Sequence, residues 1–204
     1  MSRIALYVED DSDKAVLDGL LRAVRERLRE KGVGLRIRRA GDAPKLDRKI
    51  GRYAFQELRN PDIVAVFALR DLDAPASQAE NRISALGTTV REALSLEQCS
   101  RFHAHVAIPQ IEAWLLADGN ALREVLRTQT DCSLARPEES AGGKPPKEIL
   151  DELFHKYLDR AYQPTKHGRL IAGAADPGVV AHRCPSFRAF ANDLLGCVGL
   201  SPLY

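Results

Sequence analysis

The sequence contains no apolar run approaching the ~20 residues that span a bilayer. It also opens straight into a strand-like segment, with no apolar leader and small-residue cleavage site. No membrane partner and a cytoplasmic location are therefore expected. Neither charge is in excess: the formal net charge is +2 over 204 residues, without the basic footprint of a protein that grips nucleic acid regardless of sequence. Cysteine is scarce. Cys99, Cys132, Cys184 and Cys197 form no CxxC pair, so they read as small buried hydrophobes. Cys99 with His103 and His105, and His182 two residues before Cys184, lack the two tight ligand pairs of structural zinc. His103 and His105 instead fit one face of a strand. There is no internal repeat and no low-complexity tract. No serine or cysteine nucleophile stands in a recognisable frame. A phosphate-binding loop is excluded, because Gly142-Gly143-Lys144 is followed by proline and Glu138 holds the leading glycine position.

What is present suits one good-sized domain, or a core with an appendage. Residues 3–9 predict a buried strand that ends abruptly in acids. Ser12 is a plausible N-cap for a helix carrying Val16, Leu17, Leu20, Leu21, Val24 and Leu28, which Lys31-Gly32 closes. Residues 33–39 alternate and predict a wetter strand near an edge. A helix follows over 44–58, then a turn at Asn60-Pro61-Asp62. Residues 63–69 are apolar on both faces and predict a central parallel strand. Residues 76–94 can be helical behind Pro75. A fourth strand is expected over 102–108 and a short helix over 110–118. This alternation argues for a parallel sheet covered on both faces, in an α/β fold. Beyond Asp118 the pattern becomes helical: 119–127, 147–161 and 185–196 predict helices, and 128–146 a loop. The expected organisation is an α/β core over 1–118 carrying the site, with a helical extension over 119–204 packed on it.

The acids are the informative part. Right-handed crossovers put every strand's C-terminal end on one edge, where open α/β sheets bind ligands. Glu9 ends the first strand, with Asp10, Asp11 and Asp13 beyond it. Asp71 and Asp73 end the third strand, on either side of a buried Leu72. Glu112 follows the fourth. Such carboxylates repel one another unless a cation or proton compensates, and oxygen-only ligands suit Mg2+ or Mn2+. Asp10 and Asp11 are also explained by the positive end of the first helix, Glu112 by a helix cap, and Asp71 and Asp73 by a plain turn. The basic residues Arg36, Arg38, Arg39, Lys45, Arg48, Lys49 and Arg52 read either as solvated faces or as a phosphate-tracking surface.

With VEDDSD after the first strand and DLD after the third, the chain resembles the toprim fold of topoisomerases, primases and the nucleases related to the overcoming-lysogenization-defect proteins. Glu9 matches the glutamate of that pattern, Asp13 its later acid, and Asp71 and Asp73 its Asp-x-Asp. Asp10 stands where the pattern usually has glycine. The strings IPQIEAWLLAD (108–118), PTKHGRLIAG (164–173) and CPSFRAF (184–190) resemble an uncharacterised bacterial family of toprim-like proteins, domain of unknown function family 4276. The resemblance implies a metal-dependent nuclease acting on nucleic acid, DNA before RNA, sometimes encoded beside an ATPase and linked with defence against mobile DNA. On that reading Glu9 is the general base or a metal ligand. Asp13, Asp71, Asp73 and Glu112 complete the metal set, and Lys166 offers a positive charge to the scissile phosphate. Arg70 is either a second phosphate contact or a salt-bridge partner.

Two other readings compete. The chain also resembles a response-regulator receiver domain in VEDD, in DLDAP and in Lys144-Pro145. The gap from the first acids to Asp71 is too long for that domain, and the helical tail is left unexplained. A non-catalytic toprim-like binding subunit, working with a partner ATPase, fits the low net charge.

Overall fold

The computed structural model describes residues 1–139 and 143–204. Within them, four apolar segments form one sheet: β1 (Ser2–Val8), β2 (Val33–Arg39), β3 (Ile63–Asp71) and β4 (Phe102–Ala107). All pairs are parallel, in the order β2-β1-β3-β4. The alternating β2 lies at an edge, and the apolar β1 and β3 lie side by side at the centre.

The helix expected after β1 is broken at Leu21 into α1 (Asp11–Leu20) and α2 (Arg22–Glu30). Its cap is Asp10, not Ser12: Asp10 Oδ1 accepts the Ser12 and Asp13 N–H groups at 2.7 and 3.2 Å. A carboxylate accepts as well as a hydroxyl does and also meets the positive helix end. Asp10 has φ −140°, ordinary extended backbone, so glycine is not required there. Gly32 takes φ +76° after α2, where its missing Cβ permits the left-handed turn. The helix over 44–58 is α3 (Ala43–Leu58). Residues 76–94 become a 3-10 turn (Ala76–Gln78), α4 (Ala79–Arg91) and the start of a loop, with a short α5 at Leu96–Cys99. The helix expected over 110–118 shrinks to one turn, α6 (Glu112–Leu115).

Next come α7 (Gly119–Leu126) and α8 (Pro146–Leu158). The described part of the loop over 128–146 holds a 3-10 turn at Pro137–Glu139; residues 140–142, Gly142 among them, lie outside the described residues. A π turn (Pro164–Gly168), α9 (Arg169–Ala174), α10 (Pro177–Arg183) and α11 (Pro185–Gly196) complete the chain. The stretch 164–183 gave no helix from sequence, because pieces of six and seven residues are too short for an apolar period to declare itself.

Alternate residues of the strands serve two cores. Ile4, Leu6, Val8 and Phe67 pack with Val16, Leu17 and Val24 of α1 and α2 and with Phe187, Phe190 and Leu194 of α11. Ala5, Tyr7, Val66 and Ala68 face Leu46 and Ile50 of α3 and Leu86 and Val90 of α4. The chain beyond 119 thus shares the first core with the sheet. Polar ties join the halves as well. The Trp114 Nε1–H donates to Ser186 Oγ at 3.0 Å, and Ser186 in turn donates to Glu138. Asp118, fully enclosed, accepts the Asn120 N–H on one oxygen and the Asp176 N–H on the other, at 2.9 and 2.8 Å. The strings EAWLLAD and CPSF are therefore joints of the fold. His103 and His105 both meet Asp193 Oδ2, at 2.9 and 2.8 Å, and fasten β4 to α11.

Candidate metal centre

Parallel pairing brings the ends of β1 and β3 to the same edge, and Glu9 reaches across it. Its Oε1 accepts the Asp71 N–H at 2.9 Å. Beneath them lies Arg70, buried at 6% exposure. Arg70 Nη1 pairs with Asp47 Oδ2 at 2.6 Å, its Nε donates to the Asp71 carbonyl at 2.8 Å, and the same Nε stands 3.7 Å from Glu9 Oε1. Of its two possible roles, Arg70 fills that of a buried salt-bridge partner.

Asp71 and Asp73 are held by the segment entering α6. Asp71 Oδ1 accepts the Ile111 N–H at 2.8 Å, and Asp73 Oδ1 accepts from Gln110 Nε2 at 3.0 Å. The Asp73 N–H donates to the Pro109 carbonyl at 3.0 Å. Asp73 has φ +51°, a left-handed conformation that aspartate tolerates better than most side chains. Between them Leu72 is buried and acts as the anchor. Glu112 and Asp13 are both buried, in the first turns of α6 and α1. Asp13 Oδ2 accepts the Glu9 and Asp10 N–H groups at 3.1 and 3.4 Å.

The electrostatics express the crowding. Burial raises the Glu9 pKa; the Asp71 N–H bond and Arg70 oppose it, while Asp73 and Asp10 add to it. Asp13 is pushed up to about 7 by burial and then by the charges of Asp10, Glu9 and Glu112. Asp71 is driven well above the usual carboxylate range by burial and by Asp13, Glu112 and Glu9. Burial also raises Glu112, against its own backbone N–H bond and the Lys147 charge, with Asp10 and Asp73 pushing further. Glu9, Asp13, Asp71, Asp73 and Glu112 thus lie in one another's fields, although they are spread over more than a hundred positions of the chain.

The donor set is all oxygen, which suits Mg2+ or Mn2+. Among the described residues, Glu9, Asp13, Asp71 and Asp73 each spend one oxygen on the bonds above and leave the other without a hydrogen bond. Also among the described residues, no three His, Cys, Asp or Glu side chains are placed closely enough to hold one ion as they stand. The residues fit a divalent cation in kind, and binding one has to draw carboxylates together from the bonds above.

Residues 8–195 match the family described as Domain of unknown function (DUF4276). The chain belongs to that family. No curated protein matches it. Among solved structures, the C-terminal region of the Burkholderia pseudomallei OLD protein aligns over 98% of this chain and 100% of its own, at 14% identity and a TM-score of 0.54. The C-terminal region of the Xanthomonas campestris pv. campestris OLD protein aligns over 97% and 94%, at 15% identity and a TM-score of 0.51. This likeness concerns the fold, which is the toprim-like α/β arrangement. The receiver reading finds no support: Lys144 pairs with Glu152 of α8. No helix among the described residues is long and apolar enough to cross a membrane.

In this DUF4276 chain the cation whose field reaches Glu112 is Lys147, exposed in the first turn of α8. Lys166 lies exposed on the π turn, beside the buried His167. The Tyr162 hydroxyl is buried, has no hydrogen-bond partner among the described residues, and feels the Glu112 charge. Neither Lys147 nor Tyr162 was visible from sequence, since nothing in their local pattern points back to an acid more than thirty positions earlier. Of the basic stretch, Arg38 pairs with Glu57, Arg39 with Asp11 and Lys45 with Asp42, which favours solvated, ion-paired faces there.

Proposed function

We propose that this protein is a magnesium- or manganese-dependent nuclease that cleaves phosphodiester bonds in nucleic acid, DNA before RNA. The observation that carries the reading is the bond from the Asp71 N–H to Glu9 Oε1. It joins the ends of two neighbouring strands and fixes a rim onto which Asp13, Asp73 and Glu112 also bring charge. Asp71, Asp73, Asp13 and Glu112 would hold the metal, with Glu9 as ligand or general base. A divalent ion at such a rim supplies positive charge to phosphoryl oxygens and lowers the pKa of bound water. Burial raises the Glu9 pKa, which makes that carboxylate a stronger base, and the Asp71 N–H fixes where it stands. Lys147 and Lys166 are the cations available to a phosphate approaching from the α8 side. The toprim-like fold supports the reading, and a partner ATPase and a role in defence against mobile DNA belong to it.

Purified protein with plasmid and with single-stranded DNA, with magnesium, manganese or chelator, tests this. Metal-dependent cleavage is expected, lost by at least about a hundredfold in Glu9→Gln and Asp71→Asn, with circular dichroism unchanged. Absence of cleavage under every metal, with the neighbouring ATPase added, would leave the chain as a binding subunit.

A further inference from the structure

Next to the rim is a cavity of about 520 Å³, within the roughly 300–1,000 Å³ of small-molecule clefts. Its walls include Asp73, Pro75, Pro109, Gln110, Glu138 and Pro146. We propose that this cavity receives one unpaired nucleobase of a single-stranded nucleic acid whose neighbouring phosphate lies at the carboxylate rim. The proposal rests on the nuclease reading and narrows its substrate.

Several observations point there. Asp73 belongs both to the acid rim and to the cavity wall, so whatever is bound to a phosphate at the rim has the cavity beside it. The lining excludes phosphate itself: Asp73, Glu138 and Glu139 are acids, and like charges repel. Both Glu138 oxygens already accept from Ser186, so the acceptor on this wall is the exposed Glu139 carboxylate, which can take an amino N–H of a base beside its bond to Arg136. Gln110 adds to this. Its Nε2 is spent on Asp73 and so ties this wall of the cavity to the rim. The proline rings are compact and apolar and can pack against the faces of a base. Beyond Ala76, Glu138 and Glu139 a second cavity of about 430 Å³ adjoins the first, where Arg136 is paired with Glu139 at 3.2 Å, so the strand has room to continue. A base held in a duplex must first be unpaired and unstacked to enter such a cavity, whereas an unpaired one enters without that cost.

Ala76 is exposed and lines both cavities, so Ala76→Phe fills the space without entering a core. The measurement is fluorescence anisotropy of a short labelled single-stranded oligonucleotide, with calcium in place of magnesium. Comparison ligands are the same strand with one abasic position and the same sequence as a duplex. The parent is expected to prefer the single strand and to lose about tenfold with the abasic position placed at the cavity. Ala76→Phe should weaken the intact strand by a similar factor and become indifferent to the abasic position. Equal binding by parent and Ala76→Phe, or a duplex bound as tightly as the single strand, overturns the proposal and leaves the nuclease reading standing. A parent that binds no nucleic acid in any form defeats both.

Discussion

At Asp13, burial and three neighbouring carboxylates push in one direction, up to about 7, against ~3.9 for an unfolded aspartate. A folded pKa above the unfolded one means that the stability linked to protonation is fully present below ~3.9 and is lost as pH rises through about 7. Metal-free protein should therefore become more stable between pH 8 and pH 5 in chelator, as read by thermal denaturation. Asp13→Asn keeps an acceptor for the Glu9 N–H and removes the charge. It should be more stable than the parent at pH 8, by roughly 1–3 kcal/mol once coupling to the other acids is discounted, with a flatter pH profile. A less stable variant at pH 8 would mean that Asp13 matters as a cap and not as a crowded charge. The rim acids were legible because acids ending apolar strands on one edge have few structural reasons to be there. Which of them are buried was not legible. Asp13 and Glu112 prove buried, and Asp73, the obvious partner of Asp71, is exposed.

Between elements, close backbone approach sets a strong constraint. A Cβ added to Gly19 of α1 would come within 2.7 Å of the Ala172 backbone in α9. That contact seats the later helices against the helix that carries Asp13. Gly19→Ala should cost about 1–3 kcal/mol by overpacking, seen as a lowered midpoint in urea. It should also weaken metal affinity, because α1 must shift away. An unchanged midpoint would show that α9 yields freely. The sequence pattern revealed the long helices α3, α8 and α11, whose apolar positions recur over several turns. It could not reveal α9 and α10, nor the break at Leu21, where both sides of the break keep the same apolar stripe.

Across the whole molecule, the two-sided burial of β1 and β3 forces a layer on each face, and that much follows from their apolar runs. The sequence does not say how far the later half reaches. Lys147 and Tyr162 both touch the field of Glu112, so the region beyond 119 furnishes part of the site's surroundings as well as part of the core. EAWLLAD and CPSF, distinctive as strings, serve the joint Trp114–Ser186–Glu138, one end of which also lines the proposed base cavity.

Whether this edge of the sheet is a cation site is settled most directly by anomalous scattering from crystals soaked in manganese. The account predicts a peak touching at least two of Glu9, Asp13, Asp71, Asp73 and Glu112, with Mn–O distances of about 2.0–2.3 Å. No peak there at saturating manganese, or one held only by other residues, would contradict it.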